Sequence, residues 1–291
     1  MDWARDREIW PNATHSRFVD VKPHRWHVQE AGTGPTVFLL HGAGGATQSW
    51  RTLFPILMQH AHVVALDLPG QGFTRMGTRQ RCGLGPMAED LARLCDHEGW
   101  QPDLIVGHSA GAALALQLSP QIGNPPVIGL NAALSKFDGM AGWLFPLMAK
   151  MMALNPMIPP LLARLAGGEE RTRELLETTG STLDPVGVAL YRRLMSDKGH
   201  IDGTLTMMSQ WNIDPLLARL AEIDTPTTLL VGTQDGTVPA DVSHSAARLM
   251  PQATVKAFEG LGHLMHEEDA ALIATEILAQ IPGQTRAVAL P

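Results

Sequence analysis

Leu104-Ile105-Val106-Gly107-His108-Ser109-Ala110-Gly111-Ala112-Ala113-Leu114-Ala115-Leu116 is the stretch that decides the fold. Its first three residues are apolar and two of them are β-branched, as a buried strand requires. Its last five are small or straight-chain helix formers. Between the two halves a serine stands with glycine two positions before it and two after. A chain that turns sharply from strand into helix forces the central residue into strained backbone angles, and glycines let the neighbouring backbone pass without a Cβ clash. The strain exposes the hydroxyl, and the helix N-terminus behind it favours developing negative charge. Ser109 is therefore the candidate nucleophile.

The segments around this turn repeat its rhythm. Short apolar runs at 36–40, 62–66, 103–106, 127–130, 227–231 and 254–258 read as buried strands. Amphipathic helical patterns, such as 87–98, 239–250 and 267–280, lie between them. Residues 16–21 and 25–30 read as an antiparallel pair at one edge. Alternation of this kind predicts an α/β fold, a mostly parallel twisted sheet with helices on both faces. One region breaks the pattern: 135–213 is helical in character, holds four prolines in its first third and has no strand signal. It reads as a helical cap inserted into a core made of 1–134 and 214–291, lying over the strand ends where open parallel sheets bind ligands.

A nucleophilic serine needs a base, an orienting acid and an oxyanion site. Leu39-Leu40-His41-Gly42-Ala43-Gly44-Gly45 ends the 36–40 strand, and its glycines let backbone N–H groups turn towards one point. The backbone of Ala43 and of Ala110, the residue after the serine, are the expected oxyanion donors. A glycine-rich phosphate turn is the competing reading, but no G-x-G-x-x-G or Walker pattern fits. After strand 227–231, Gly232-Thr233-Gln234-Asp235-Gly236 offers Asp235 as the acid, with a helix-capping role as the plain alternative. After the last strand, Gly260-Leu261-Gly262-His263-Leu264-Met265-His266 offers His263 as the base and His266 as its rival. The chain order Ser, Asp, His follows the order of a strand-elbow nucleophile.

Composition removes several classes of function. A chain of 291 residues with 45% hydrophobic and 18% charged residues suits one large globular domain. A net charge of −7 offers no basic stripe to a nucleic acid. Cys82 and Cys95 are too few for a disulfide framework and are expected to be inert thiols in a reducing, cytoplasmic compartment. The opening MDWARDREIW has no apolar stretch of the kind a secretory signal carries. Residues 139–165 are the most apolar, yet Lys150, Pro146, Pro156, Pro159 and Pro160 interrupt them, so no transmembrane span is expected. Peripheral association with a membrane surface stays open. The twelve histidines show no H-E-x-x-H or Cys/His cluster, so neither a metal nor another cofactor is expected.

These motifs, in this order, resemble the α/β-hydrolase superfamily over essentially the whole chain. Asp67-Leu68-Pro69-Gly70-Gln71-Gly72 is similar to its DLPGHG turn, with glutamine at the usual histidine. Serine at the elbow departs from the dehalogenase and epoxide-hydrolase branches, which use aspartate, and Tyr191 is the only tyrosine, so the tyrosine pair of epoxide hydrolases is missing. A narrower resemblance lies outside the catalytic motifs. Asp2-Trp3-Ala4-Arg5-Asp6, Trp10-Pro11-Asn12, Arg25-Trp26-His27-Val28-Gln29, Thr179-Gly180-Ser181, Leu183-Asp184, Leu190-Tyr191, Gly199-His200, Met207-Met208 and Trp211 resemble the BchO-type magnesium-chelatase accessory family of bacteriochlorophyll biosynthesis. That resemblance implies a role near magnesium insertion into protoporphyrin, and with it a tetrapyrrole-linked substrate and magnesium chelatase as a partner. Met140, Met148, Met151, Met152 and Met157 give the cap the polarizable surface that suits an irregular apolar ligand, or simply cap-to-core packing. Trp143, Phe145, Met148, Met152, His200 and Trp211 are the candidate substrate contacts, each with a packing role as its alternative. The functional expectation is a serine hydrolase acting on an ester or acyl bond of an apolar substrate. The alternatives are a non-catalytic porphyrin-binding protein assisting the chelatase, and lyase or C–C chemistry on the same elbow.

Overall fold

The computed structural model describes residues 1–136, 155 and 157–281. One sheet contains β1 (Ser16–Val21), β2 (His24–Ala31), β3 (Thr36–Leu40), β4 (His62–Leu66), β5 (Leu104–His108), β6 (Val127–Leu130), β7 (Thr227–Gly232) and β8 (Ala253–Phe258). Their order across the sheet is β1-β2-β4-β3-β5-β6-β7-β8. β1 pairs with β2 and β2 with β4 antiparallel, and the remaining neighbours are parallel. The antiparallel edge pair expected from the sequence is thus present.

Side chains on successive residues of a strand point to opposite faces, so each central strand serves two cores. Phe38, Leu40, Val64, Leu66 and Ile105 join one cluster with residues of α1 (Leu84–Glu98) and α2 (Ala110–Leu118). Val37, Leu39, Val63, Ala65, Leu104 and Val106 join the other with Phe54 and with Ile273 and Ile277. Burial on both faces explains why these strands read as continuous apolar runs. β8 departs from the expectation of a buried strand. At the sheet edge, Thr254, Lys256 and Ala257 are exposed and of this strand only Phe258 is buried.

Between β6 and β7 the chain leaves the sheet for α3 (Ile158–Ala166), α4 (Glu169–Glu177), α5 (Pro185–Met195) and α6 (Lys198–Gln210), with no strand among the described residues. After β7 follow α7 (Ala240–Leu249) and, past β8, α8 (Ala270–Leu278). The helix expected over 267–280 is broken, because Asp269 leaves helical angles and its carboxylate caps the Leu272 N–H at 2.9 Å. Burial pushes the thiols of Cys82 and Cys95 up to about 11 and about 12, which keeps both protonated. Among the described residues no helix is long and apolar enough to cross a membrane.

The strand order reverses between β3 and β5, since the chain moves from β3 to β4 on one side and returns to β5 on the other. Loops leaving the C-terminal ends of β3 and β5 therefore diverge and open a crevice. The α3–α6 segment is fastened beside it. Arg51 reaches Asp184 at 3.0 Å, and α6 lies backbone-to-backbone on the turn after β4. A Cβ on Gly203 would stand 2.0 Å from the Gly70 carbonyl oxygen, closer than any real contact. Gly203→Ala should therefore push α6 off this turn and cost about 2 kcal/mol, a fall of roughly 5 °C in Tm. Gly85→Ala in α1, where a Cβ meets nothing within 4 Å, should be neutral or raise Tm slightly. Equal Tm values for the two variants in a thermal melt would refute the tight contact.

Candidate active site

Ser109 sits at φ 53° and ψ −116°, directly after β5 and before α2. The conformation is held by backbone bonds: its N–H donates to the Leu130 carbonyl at 2.9 Å, and its carbonyl accepts from the Ala133 N–H at 3.1 Å. The flanking glycines are there for space. A Cβ on Gly107 would lie 2.6 Å from the Ala112 Cα, and one on Gly111 2.2 Å from the Leu40 carbonyl oxygen. Ser109 is partly exposed and opens onto a cavity of about 980 Å³.

Asp235 and His263 meet beside it. Asp235 Oδ2 lies 2.7 Å from His263 Nδ1, while its Oδ1 accepts the backbone N–H groups of Thr237 and Val238 at 2.7 and 2.8 Å. The Asp235 side chain is 1% exposed and the imidazole 8%, so the pair is shielded from competing water. His263 and Ser109 line the same cavity. The Ser109 hydroxyl makes no hydrogen bond to the imidazole, whose Nδ1 is held by Asp235. His266 is brought to a different partner. Its Nε2 lies 2.7 Å from Ser49 Oγ, and burial pushes it down to about 3, so it stays neutral.

Gly42, Ala43 and Ala110 also line the cavity. The turn at Gly42 presses on the elbow, since a Cβ there would come within 3.0 Å of Ser109 Cβ. Ala110 begins α2, where a backbone N–H has no partner within the helix. Gln71, at the position where histidine is usual, supports this loop: its Oε1 accepts the Gly44 N–H at 2.6 Å.

The candidate substrate contacts divide. Trp211 lines the cavity, together with Met207 and Met208. Trp143, Phe145, Met148 and Met152 lie outside the described residues, as do Met140 and Met151. His200 is corrected. It is 2% exposed, Nδ1 accepts the Gly72 N–H at 3.0 Å, and Nε2 lies 3.1 Å from the Gly44 carbonyl. Both ring nitrogens are spent on backbone, and burial pushes the imidazole down to about 4. His200 pins α6 to the glycine loop, has no ring nitrogen left for a ligand or metal, and does not line the cavity. Among the described residues no three His, Cys, Asp or Glu side chains are placed to hold a metal ion.

Several residues at the site carry no signal in a single sequence. The Thr179 carbonyl accepts the N–H groups of both Gly236 and His263, at 3.0 and 3.1 Å. Ser181 Oγ accepts the Leu264 N–H at 2.8 Å, and Glu268 holds Ser181 Oγ and the Gly262 N–H. The string Thr179-Gly180-Ser181 thus braces the loops that carry Asp235 and His263. Glu267 is buried behind the cavity wall, accepting from Tyr191 OH at 2.8 Å and Ser49 Oγ at 3.0 Å.

The geometry is that of a hydrolase fold, and comparison with known proteins agrees. Residues 35–270 match the family described as the alpha/beta hydrolase fold, and the chain belongs to that family. An α/β-hydrolase fold protein from Burkholderia ambifaria superposes with a TM-score of 0.76 at 20% identity, covering 90% of this chain and 96% of that one. A thermophilic esterase from Thermogutta terrifontis gives 0.68 at 21% identity, over 90% and 96%. At such identities these two likenesses concern the fold alone. The magnesium-chelatase 30 kDa subunit of Rhodobacter capsulatus is 42% identical over 276 residues, 94% of this chain and 97% of that protein. Within the hydrolase fold, this chain belongs to the family of that subunit.

Burial pushes the Glu267 carboxyl up to about 7, against the hydrogen bonds from Tyr191 and Ser49 and the charge of Arg51, which pull it down. Arg51 Nε lies 3.5 Å from Glu267 Oε2, too distant to offset burial of the carboxylate. Because the folded value lies above the ordinary value of 4.5, protonation of Glu267 favours the folded state. That contribution is complete below about pH 4.5 and fades as pH rises through 7, a loss of roughly 3 kcal/mol. Glu267→Gln, which cannot ionise, should flatten the fall in stability between pH 5 and 8 in urea melts. An unchanged pH slope in that variant would show that Glu267 does not titrate in this range.

Proposed function

We propose that the chain is a serine hydrolase that cleaves an ester or related acyl bond of an apolar substrate in the magnesium-porphyrin branch leading to bacteriochlorophyll. The observation that carries the reading is the 2.7 Å Asp235–His263 contact, beside a strained Ser109 that faces the same cavity. Ser109 Oγ attacks the acyl carbon while His263 Nε2 takes its proton. Asp235 holds Nδ1–H, fixing the tautomer and stabilising the imidazolium. The N–H groups of Ala43 and Ala110 receive the negative charge of the tetrahedral intermediate. On collapse, His263 returns the proton to the leaving alcohol, and water then repeats the sequence to release the acid. Helices α3–α6 act as a cap over this chemistry, with Trp211 and Met208 among the walls that hold the apolar part of the substrate.

A second reading is supported by the similarity to a chelatase subunit: a porphyrin-binding protein that assists magnesium chelatase and leaves the serine unused. The two are separated by a fluorophosphonate probe. Under the hydrolase reading the wild type is labelled, Ser109→Ala and His263→Ala are not, and Asp235→Asn is slowed on the order of 10³-fold or more. A folded wild type that resists the probe yet shifts the visible bands of protoporphyrin would replace hydrolysis with carriage.

A further inference from the structure

The three loops that bring Ser109, Asp235 and His263 together arise from different strands, and their ends converge on one buried side chain. Asn131 follows β6 directly, at φ 46° and 1% exposure. Its Oδ1 accepts the Gly232 N–H at 2.8 Å, at the start of the loop that carries Asp235. Its Nδ2 donates to the carbonyls of Gly262 and His263, both at 2.9 Å. The His263 carbonyl receives a second bond, from His108 Nε2 at 2.9 Å. The backbone on either side of Asn131 is committed to the nucleophile, because Leu130 accepts from the Ser109 N–H and Ala133 donates to the Ser109 carbonyl.

We infer that Asn131 is a positioning residue that sets the register of acid, base and nucleophile by bonding the Asp235 loop and the His263 loop through one amide. The chemistry of the position admits few substitutes. Two carbonyls require donors and one N–H requires an acceptor, and a primary amide supplies both from one planar group. The left-handed backbone further favours Asn or Asp over larger residues. Aspartate keeps the acceptor and tolerates the backbone, but it turns a carboxylate oxygen on two carbonyl oxygens. Leucine leaves the Gly232 N–H and the Gly262 carbonyl without partners and the His263 carbonyl with His108 alone. His108, directly before Ser109, reinforces the same carbonyl and so ties the elbow itself to the base loop.

This inference rests on the reading of Ser109, Asp235 and His263 as a catalytic triad, and the test keeps the two apart. Fluorophosphonate labelling of the full-length wild type tests the triad. The Nδ1 proton resonance of His263, bonded to Asp235, tests the positioning without any turnover. Asn131→Asp is compared with Asn131→Gly, which preserves the left-handed backbone should the aspartate fail to fold. Both are expected to weaken or abolish that resonance. In the triad reading both also slow labelling, and lower kcat for an activated aryl ester, about 100-fold with little change in KM. The same substitution in a His263→Ala background should cost nothing further, because its effect passes through His263. A folded Asn131→Gly with the resonance intact would overturn the inference, as would an equal loss of rate in the His263→Ala background. A wild type that shows the resonance but resists the probe would refute the hydrolase and leave the positioning to be judged on the resonance.

Discussion

Gly111 passes so close to the end of β3 that no atom beyond hydrogen fits on its Cα, the Leu40 carbonyl oxygen lying 2.2 Å from where a Cβ would stand. This crowding fixes the relation of the elbow to the glycine loop. It forces α2 to start against β3, places the Ala110 N–H at the cavity, and holds Ser109 at φ 53°. A strained backbone of this kind costs on the order of 1–3 kcal/mol, and it persists because the bonds of Leu130 and Ala133 to Ser109 over-determine it. The reversal of strand order between β3 and β5 then decides that the strained residue faces a crevice and not a packed core.

How far the sequence could be read depended on the range of each interaction. The strands between 36 and 130 were legible almost to the residue, because burial on two faces leaves an unbroken apolar run. β8 misled, since Thr254 and Lys256 read as part of a buried strand until its edge position is known. Local motifs also carried the elbow, the glycine loop and the two loops bearing Asp235 and His263. What fails to appear in a linear reading is any role defined by a distant partner. Asn131 looks like a turn residue after a strand, and its bonds run to residues 101, 131 and 132 positions away. Glu267 looks like an exposed acid at a helix start, yet it lies under Tyr191 from α5 and Ser49. His200 was open to a ligand role only because its backbone partners, Gly44 and Gly72, lie more than a hundred residues away.

The electrostatics of the site follow from the same burial. His108, His200 and His266 are enclosed, and burial keeps each imidazole neutral well below its ordinary value. Around His263, therefore, the neighbouring rings serve as dipoles and hydrogen-bonding groups and not as competing cations. His108 sits 4.7 Å from His263 and 4.6 Å from His266, ring centre to ring centre. Three protonated rings at that spacing would repel strongly in a low dielectric. With two of them neutral, the charged group bonded to His263 is Asp235, so a protonated His263 would meet a carboxylate and no like charge from these rings.

The helical segment between β6 and β7 bears directly on the loops that carry Asp235 and His263. Thr179, Ser181 and Glu268 bond the backbones of Gly236, Gly262, His263 and Leu264, so a segment between β6 and β7 sets the acid and base loops from outside the sheet. A displacement of α4 or α5 would then be felt directly at His263. In a pure carrier such bracing has no purpose, because an apolar cavity can hold a flat ligand whether or not an imidazole is oriented. In a hydrolase it has one, because misplacement of the base by about 1 Å costs on the order of 10² in rate. The bonds from 179–181 to the His263 loop, the Asn131 amide beneath it and the neutral rings around it are three independent investments in the position of one imidazole. Their coincidence weighs for chemistry at Ser109 more heavily than the motif around the serine alone.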